Sequence, residues 1–216
     1  MKKCYILAAL PTASIPFKKQ KGDLIIAADG GYANALNMGI TPDIILGDFD
    51  SLGYIPQGKE IIKHPVNKDD TDTLLAVKIG LERGYNCFYI YGGIGGRTDH
   101  TLANIQALAF IAENGGKGYL IGDNECISVI KDSFIRFKAE AKGTVSVFSL
   151  SENAKGVTIT GLHYPLKEYC LNSSYPLGVS NAFIGVSSCI EVKKGTVCVV
   201  WNGDINYIQE EPDEKE

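Results

Sequence analysis

No Cys-x-x-Cys pair occurs in the chain, and its three histidines join no cysteine in a tight cluster. A structural zinc site needs such ligands close together, so that chemistry is excluded. The six cysteines, Cys4, Cys87, Cys126, Cys170, Cys189 and Cys198, stand singly. Several lie inside apolar runs, such as Cys87-Phe88-Tyr89-Ile90 and Val197-Cys198-Val199-Val200. They read as buried free thiols in a reducing compartment, which places the protein in the cytoplasm. An excess of basic residues is also lacking. A net charge of −4 argues against non-specific nucleic-acid binding. No apolar run approaches the ~20 residues of a membrane span, so no membrane partner is expected. The start, Met1-Lys2-Lys3 before Cys4 to Leu10, imitates a short leader. Its apolar stretch is barely long enough and no small-x-small cleavage site follows, so it reads as a first buried strand. There is no internal repeat and no low-complexity linker.

What is present is an ordinary globular composition with a change of texture near residue 124. Before it, strand-like and helix-like segments alternate. Leu24–Ala28, Ile44–Leu46, Glu60–Lys63, Cys87–Tyr91 and Gly118–Ile121 read as strands. Tyr32–Met38, Asp72–Arg83 and Thr101–Glu113 read as helices, each closed by glycine or by Asn-Gly. Such alternation implies βαβ units and a mostly parallel sheet covered on both faces. After residue 124 only short strand candidates remain: 125–130, 134–137, 144–150, 156–160, 182–185, 188–192 and 196–201. Many short strands at this spacing suggest an antiparallel sandwich or barrel. The expectation is an α/β domain over 1–124 and an all-β domain over 125–216. The acidic tail 210–216 reads as a solvated terminus.

Acidic side chains concentrate where the first half's strands end and its helices begin. Ile44-Ile45-Leu46-Gly47-Asp48-Phe49-Asp50-Ser51 delivers two carboxylates at alternate positions of an extended chain, hence on one side. Like charges so placed repel unless a cation lies between them. Mg²⁺ takes oxygen ligands, commonly one or two carboxylates plus substrate phosphates. Lys68-Asp69-Asp70-Thr71-Asp72 opens a helix with more acid than capping requires, and Asp72 is best placed to complete a metal site. Asp29-Gly30-Gly31 joins a strand to a helix start that presents free N–H groups. Gly92-Gly93-Ile94-Gly95-Gly96-Arg97-Thr98-Asp99-His100 follows a buried strand. Its glycines let backbone wrap a phosphate chain, and Arg97 supplies a planar fork for phosphate oxygens. His100 reads as a helix-start histidine rather than a base. Gly53 to Glu60 mimics a phosphate loop, but Glu60 stands where that motif needs Ser or Thr, so it is an ordinary loop.

Taken in order, Asp29-Gly30-Gly31, Gly47 to Ser51, Asp69 to Asp72 and Gly92 to His100 resemble the motifs of the thiamine pyrophosphokinase family. The resemblance implies an α/β catalytic domain followed by a β-sandwich domain. It also implies transfer of diphosphate from ATP to the hydroxyethyl oxygen of thiamine with release of AMP. By the same resemblance the enzyme is a homodimer with active sites at the interface. Asp48, Asp50 and Asp72 would hold Mg²⁺. Asp29, Gly30, Lys68, Thr71, Arg97 and Asp99 would face ATP. Lys68 stands where relatives often carry glutamine. Tyr164, in Gly161-Leu162-His163-Tyr164, would stack on thiamine where relatives commonly place tryptophan, with Ser180 and Asn181 beside it. A cationic thiazolium over an aromatic face is physically favourable. Asp99 or Asp29 is the candidate general base. Two rivals remain: an aspartyl-phosphate phosphatase using Asp48 and Asp50, and a nucleotide sensor without turnover.

Overall fold

The structure is a computed structural model, and it describes residues 2–12, 18–47, 59–63 and 70–209. Asp48, Asp50, Lys68, the loop from Gly53 and the acidic tail lie outside the described residues. Backbone contacts divide the chain into two compact units, Met1–Asp123 and Asn124–Glu216.

The first unit contains β1 (Cys4–Leu7), β2 (Leu24–Ala28), α1 (Gly31–Asn37), β3 (Ile44–Gly47), β4 (Glu60–Lys63), α2 (Asp72–Glu82), β5 (Cys87–Tyr91), α3 (Thr98–Glu113) and β6 (Lys117–Ile121). Its strands run in the order β6-β5-β1-β2-β3-β4, and every pairing is parallel. Strands buried on both faces need uninterrupted apolar sequence, and β1, β2, β3 and β5 are buried at every position. Helices cover the two faces. A side chain at Gly80 of α2 would strike Phe88 and Cys4, whereas Tyr32 of α1 packs on Ala27 and Ile45. In register, Cys4 aligns with Phe88, and Leu7 with Ala27, three residues further on. The two rows therefore point to opposite faces.

Strand order turns about β1, which pairs with β2 on one side and β5 on the other. In open parallel sheets the crevice outside the carboxyl ends at such a reversal is where ligands bind. Close packing at this point depends on two glycines. A Cβ on Gly31 would lie 1.8 Å from the Leu7 carbonyl oxygen. Gly92 has φ +70°, and a Cβ there would lie 2.3 Å from the Leu10 oxygen.

Two of the predicted helices match to within a residue at each end. The third begins at Thr98 rather than Thr101, which brings Asp99 and His100 into its first turn. The polar start hides this extension because Thr, Asp and His carry no apolar period.

The second unit holds β7 (Glu125–Lys131), β8 (Phe134–Phe137), β9 (Thr144–Ser149), β10 (Asn153–Thr160), β11 (Leu166–Asn172), β12 (Gly178–Ala182), β13 (Ser188–Glu191) and β14 (Thr196–Asn202). Antiparallel pairing gives the runs β12-β9-β14-β7 and β11-β10-β13-β8. Period-two burial in β8 and β9 turns one side of each inward. Phe137 of β8 meets Trp201 of β14 edge to face at 5.3 Å, and both are fully buried. Each such side chain contributes roughly 2–3 kcal/mol of apolar burial. This is the α/β unit plus all-β unit that the sequence implied. The sequence gives no signal for β11, because its residues are mostly exposed and do not alternate. Pairing with β10, through two register shifts, holds it in place. Likewise β12 forms over 178–182 rather than 182–185.

Two side chains fasten the first unit where ladders cannot. Asn34 is buried on α1, and its Nδ2 donates to the carbonyls of Ala8 (2.9 Å), Ala9 (3.3 Å) and Leu10 (2.9 Å). Asp43 accepts from the Ile25 amide at 2.9 Å and pairs with Lys19 and Lys59. Partial burial pulls the Asp43 carboxyl up. The hydrogen bonds from Lys19, the Ile25 amide and Lys59, with the Lys19 charge, outweigh it and leave the group below its ordinary range.

Asn34→Asp keeps the shape but replaces the donor by an acceptor facing three carbonyls. Urea unfolding is expected to show a loss of about 2 kcal/mol or more. For Asp43→Asn, about 1 kcal/mol is expected at pH 7, after allowing for solvent screening. A depressed folded pKa stabilises above the unfolded value of about 3.9 and loses that effect as pH falls through the folded value. The gap between Asp43→Asn and the parent should therefore narrow below about pH 4 in a pH series of unfolding curves.

Candidate functional site

Three strand-end loops and two helix starts surround a cavity of about 380 Å³ in the first unit. Ala8 to Leu10 follow β1, Asp29 follows β2, and Gly92, Gly93 and Gly95 follow β5. Asp70, Thr71 and Asp72 come from the start of α2, and Arg97, His100 and Asn104 from α3 and its approach. The register explains the convergence. Leu7 aligns with Ala27 and Tyr91, and Ala28 with Leu46, so the strands end nearly level.

Asp29 takes the left-handed backbone conformation, φ +49°. Its amide donates to the Leu46 carbonyl at 2.8 Å, which ties the end of β2 to the end of β3. Asp tolerates this conformation better than most residues, because its short polar side chain bonds locally. Gly30 caps α1 directly after it. At α2, Thr71 accepts from the Leu74 amide at 3.2 Å, a regular N-cap, and Asp72 occupies the first turn. Asp70 is held by Lys78 at 2.6 Å. The predicted residues Asp29, Thr71, Asp72 and Arg97 thus share one cavity wall.

Arg97 and Asp99 bind each other. The guanidinium donates through Nη2 at 2.6 Å and Nε at 3.2 Å to the two carboxylate oxygens. Both side chains are well exposed, at 71% and 63%. The hydrogen bond to Asp99 raises the Arg97 pKa, and the one from Arg97 holds the Asp99 carboxyl below the usual range. Among the described residues, no side chain caps the start of α3. His100 lines the cavity, and its amide donates to Asp99 at 3.0 Å.

Asn34 and Asn104 are the contributors that the motifs did not single out. Asn104 is buried, lines the cavity and donates to the Gly93 carbonyl at 2.8 Å. Each is an asparagine at a position that a purely apolar helix face would give to a hydrophobe. That mismatch is the available signal.

Oxygen donors dominate what the described lining offers a cation: the carboxylates of Asp29, Asp70 and Asp72, beside the glycines 92, 93 and 95. The donor chemistry fits a hard divalent ion. Among the described residues no group of three or more acids, histidines or cysteines converges closely enough to hold a metal by itself. β3 ends at Gly47, and Asp48 is the next residue of the chain.

In the second unit, Tyr164 is 62% exposed and Asn181 only 5%. Asn181 Oδ1 accepts from the Tyr164 amide at 2.9 Å, and its Nδ2 donates to the Tyr164 carbonyl at 2.6 Å. Ser180 is exposed, has φ +58°, and its amide donates to Ser146 at 3.0 Å.

Comparison with known proteins covers both units. Residues 18–120 match the thiamin pyrophosphokinase catalytic domain, and 133–197 match the thiamin pyrophosphokinase vitamin B1 binding domain. The thiamine pyrophosphokinase of Bacillus subtilis (strain 168) is 31% identical over 215 residues, spanning 94% of this chain and all of the relative. A crystal structure of the B. subtilis protein superposes with a TM-score of 0.81 at 29% identity, covering 94% of this chain and 100% of that one. The Geobacillus thermodenitrificans thiamin pyrophosphokinase shares the fold at a TM-score of 0.80 and 22% identity, covering 95% and 99%. A match that runs the length of the chain, in both units and in the right order, leaves one assignment: this protein belongs to the thiamine pyrophosphokinase family.

Proposed function

We propose that the chain transfers the terminal diphosphate of ATP to the hydroxyethyl oxygen of thiamine, giving thiamine diphosphate and AMP. The observation that carries this reading is the cavity at the strand reversal, lined among others by Asp29, Thr71, Asp72 and Arg97. The matched catalytic domain spans these residues. The first unit is the ATP domain and the second the thiamine domain.

Mg²⁺ would be held by Asp72 together with Asp48 and Asp50. When bound, it supplies Lewis-acid neutralisation of phosphate charge. The protein's own contribution is positioning and electrostatics, because diphosphoryl transfer spreads charge over oxygens and needs little covalent chemistry. Arg97 offers its fork to phosphate oxygens, and Asp99 holds that fork ready in the meantime. Backbone amides from 92 to 96 would face the phosphate chain, with Thr71 and Lys68 beside the nucleotide. Asp29 is the better general base. It lines the cavity, whereas Asp99 is not among the lining residues. Tyr164, Ser180 and Asn181 make the thiamine side.

The protein is expected to act as a cytoplasmic homodimer with sites completed at the interface. Tyr175, Leu177, Val179, Ile184 and Val186 of the second unit are exposed apolar residues suited to a partner copy. Neither a membrane nor a nucleic acid has a role in this reading. Among the described residues no helix is long and apolar enough to cross a membrane.

With ATP, Mg²⁺ and thiamine the expected nucleotide product is AMP. ADP, or free phosphate with a trapped phospho-Asp48, would refute the assignment. Bound ATP without any turnover would leave a sensor. Asp48→Asn and Asp72→Asn should each lower kcat about 10²-fold or more with far-ultraviolet circular dichroism unchanged. Undiminished turnover at saturating Mg²⁺ would remove those ligands. Asp29→Asn should lower kcat more than Asp99→Asn does, whereas Asp99→Asn should chiefly alter the KM for ATP.

A further inference from the structure

We infer that Asn181 is a positioning residue: its buried amide fixes the backbone of Tyr164 and so aims the exposed tyrosine ring at thiamine. This rests on the reading of Tyr164 as the residue that stacks on the vitamin.

The amide atoms of Asn181 are engaged within the protein. Oδ1 accepts from the amides of Tyr164 and Ala182, both at 2.9 Å, which uses both of its lone pairs. Nδ2 donates to the Tyr164 carbonyl at 2.6 Å. A group 5% exposed and bonded on both sides to one neighbour's backbone is placed to hold that neighbour rather than to meet a ligand. One short neutral side chain does this because an amide donates and accepts at once.

The backbone beside it aims Asn181 inward. β12 slips register against β9 between Gly178 and Asn181, and Ser180 takes φ +58° inside that irregularity. Bulges of this kind redirect side chains.

The held segment is also anchored to the core. The His163 amide donates to the Ala182 carbonyl at 3.0 Å, and Leu162 bridges to Phe183. Phe183 packs on Phe137 at 5.1 Å, and Phe137 on Trp201. On the outer side the His163 ring stands perpendicular to the Tyr164 ring at 4.5 Å, narrowing the directions that ring can take. A ring 62% exposed would otherwise lose rotational freedom on stacking, at a cost to affinity.

The test is a double-mutant cycle between Asn181→Ala and Tyr164→Ala, reading KM for thiamine and for ATP. Asn181→Ala is expected to raise the thiamine KM about fivefold and leave the ATP KM unchanged. In the Tyr164→Ala background the same change should add nothing, because its target is gone. Additive effects would overturn the inference and make Asn181 a direct thiamine contact. Equal rises in both KM values would also overturn it, as a general structural loss. If Tyr164→Ala raises the thiamine KM and Asn181→Ala does not, stacking stands and positioning falls. If Tyr164→Ala has no effect, the stacking reading itself fails. Should Asn181→Ala not fold, Asn181→Asp replaces it in the same cycle, keeping the acceptor and losing the donor to the Tyr164 carbonyl.

Discussion

The level carboxyl edge of the parallel sheet is the constraint on which the site depends. Strands that end together expose three loops side by side, and a loop beyond the last rung has no ladder partner. Backbone groups in such a place must find other partners or be left unsatisfied. Here the amides of Ala8, Leu10 and Asp29 reach the carbonyls of Tyr91, Gly92 and Leu46, and buried side-chain amides from two helices take carbonyls that remain. Asn34 gathers the carbonyls after β1, and Asn104 takes one after β5. The glycines at 31 and 92 let helix and loop approach closely enough for those bonds to form. The cavity is thus a consequence of how the sheet edge is closed.

Electrostatics at this edge follow from the same closure. The described carboxylates at the cavity belong to helix starts and to the turn after β2, where free N–H groups and short local bonds favour negative charge. Asp70 is balanced by Lys78, and Asp99 by Arg97. The Arg97–Asp99 pair is well exposed and the Asp70–Lys78 pair half-buried, so solvent still screens both and each contributes little to stability. Their value is geometric. A guanidinium held by two hydrogen bonds has its fork oriented in advance, and under the proposed function exchanging Asp99 for a phosphate would cost less than ordering a free side chain.

Much of this was legible in the residues. Runs such as Ile44-Ile45-Leu46 and Cys87 to Tyr91 can only be buried strands, and the glycines after them mark loops that approach something closely. Alternation with helical periods gave the α/β half, and its loss after residue 124 gave the all-β half. What stayed hidden has physical causes. Thr98 to His100 carry no apolar period, so the apolar pattern starts the helix only at Thr101, although His100 already reads as a helix-start residue. β11 is exposed along most of its length, and only its pairing with β10 makes it a strand. Asn34 and Asn104 look like ordinary polar interruptions until the loops they hold are seen. Asn181 is the instructive case: no sequence pattern shows that its amide is bound to the backbone of Tyr164.

The two units solve a common problem with the same device. Each must hold backbone that regular pairing leaves free, Ala8 to Leu10 and Gly93 in one and Tyr164 in the other. Charged side chains would be poor fasteners there, since burying an unpaired charge is far costlier than burying an amide. Close to a phosphate chain or a cationic ring they would also add their own field to the ligand's. A carboxamide is neutral, short, and both donor and acceptor, so it can clamp backbone without adding a charge of its own. That reasoning accounts for why Asn34, Asn104 and Asn181 hold these segments, while Arg97 and Asp99 stand exposed.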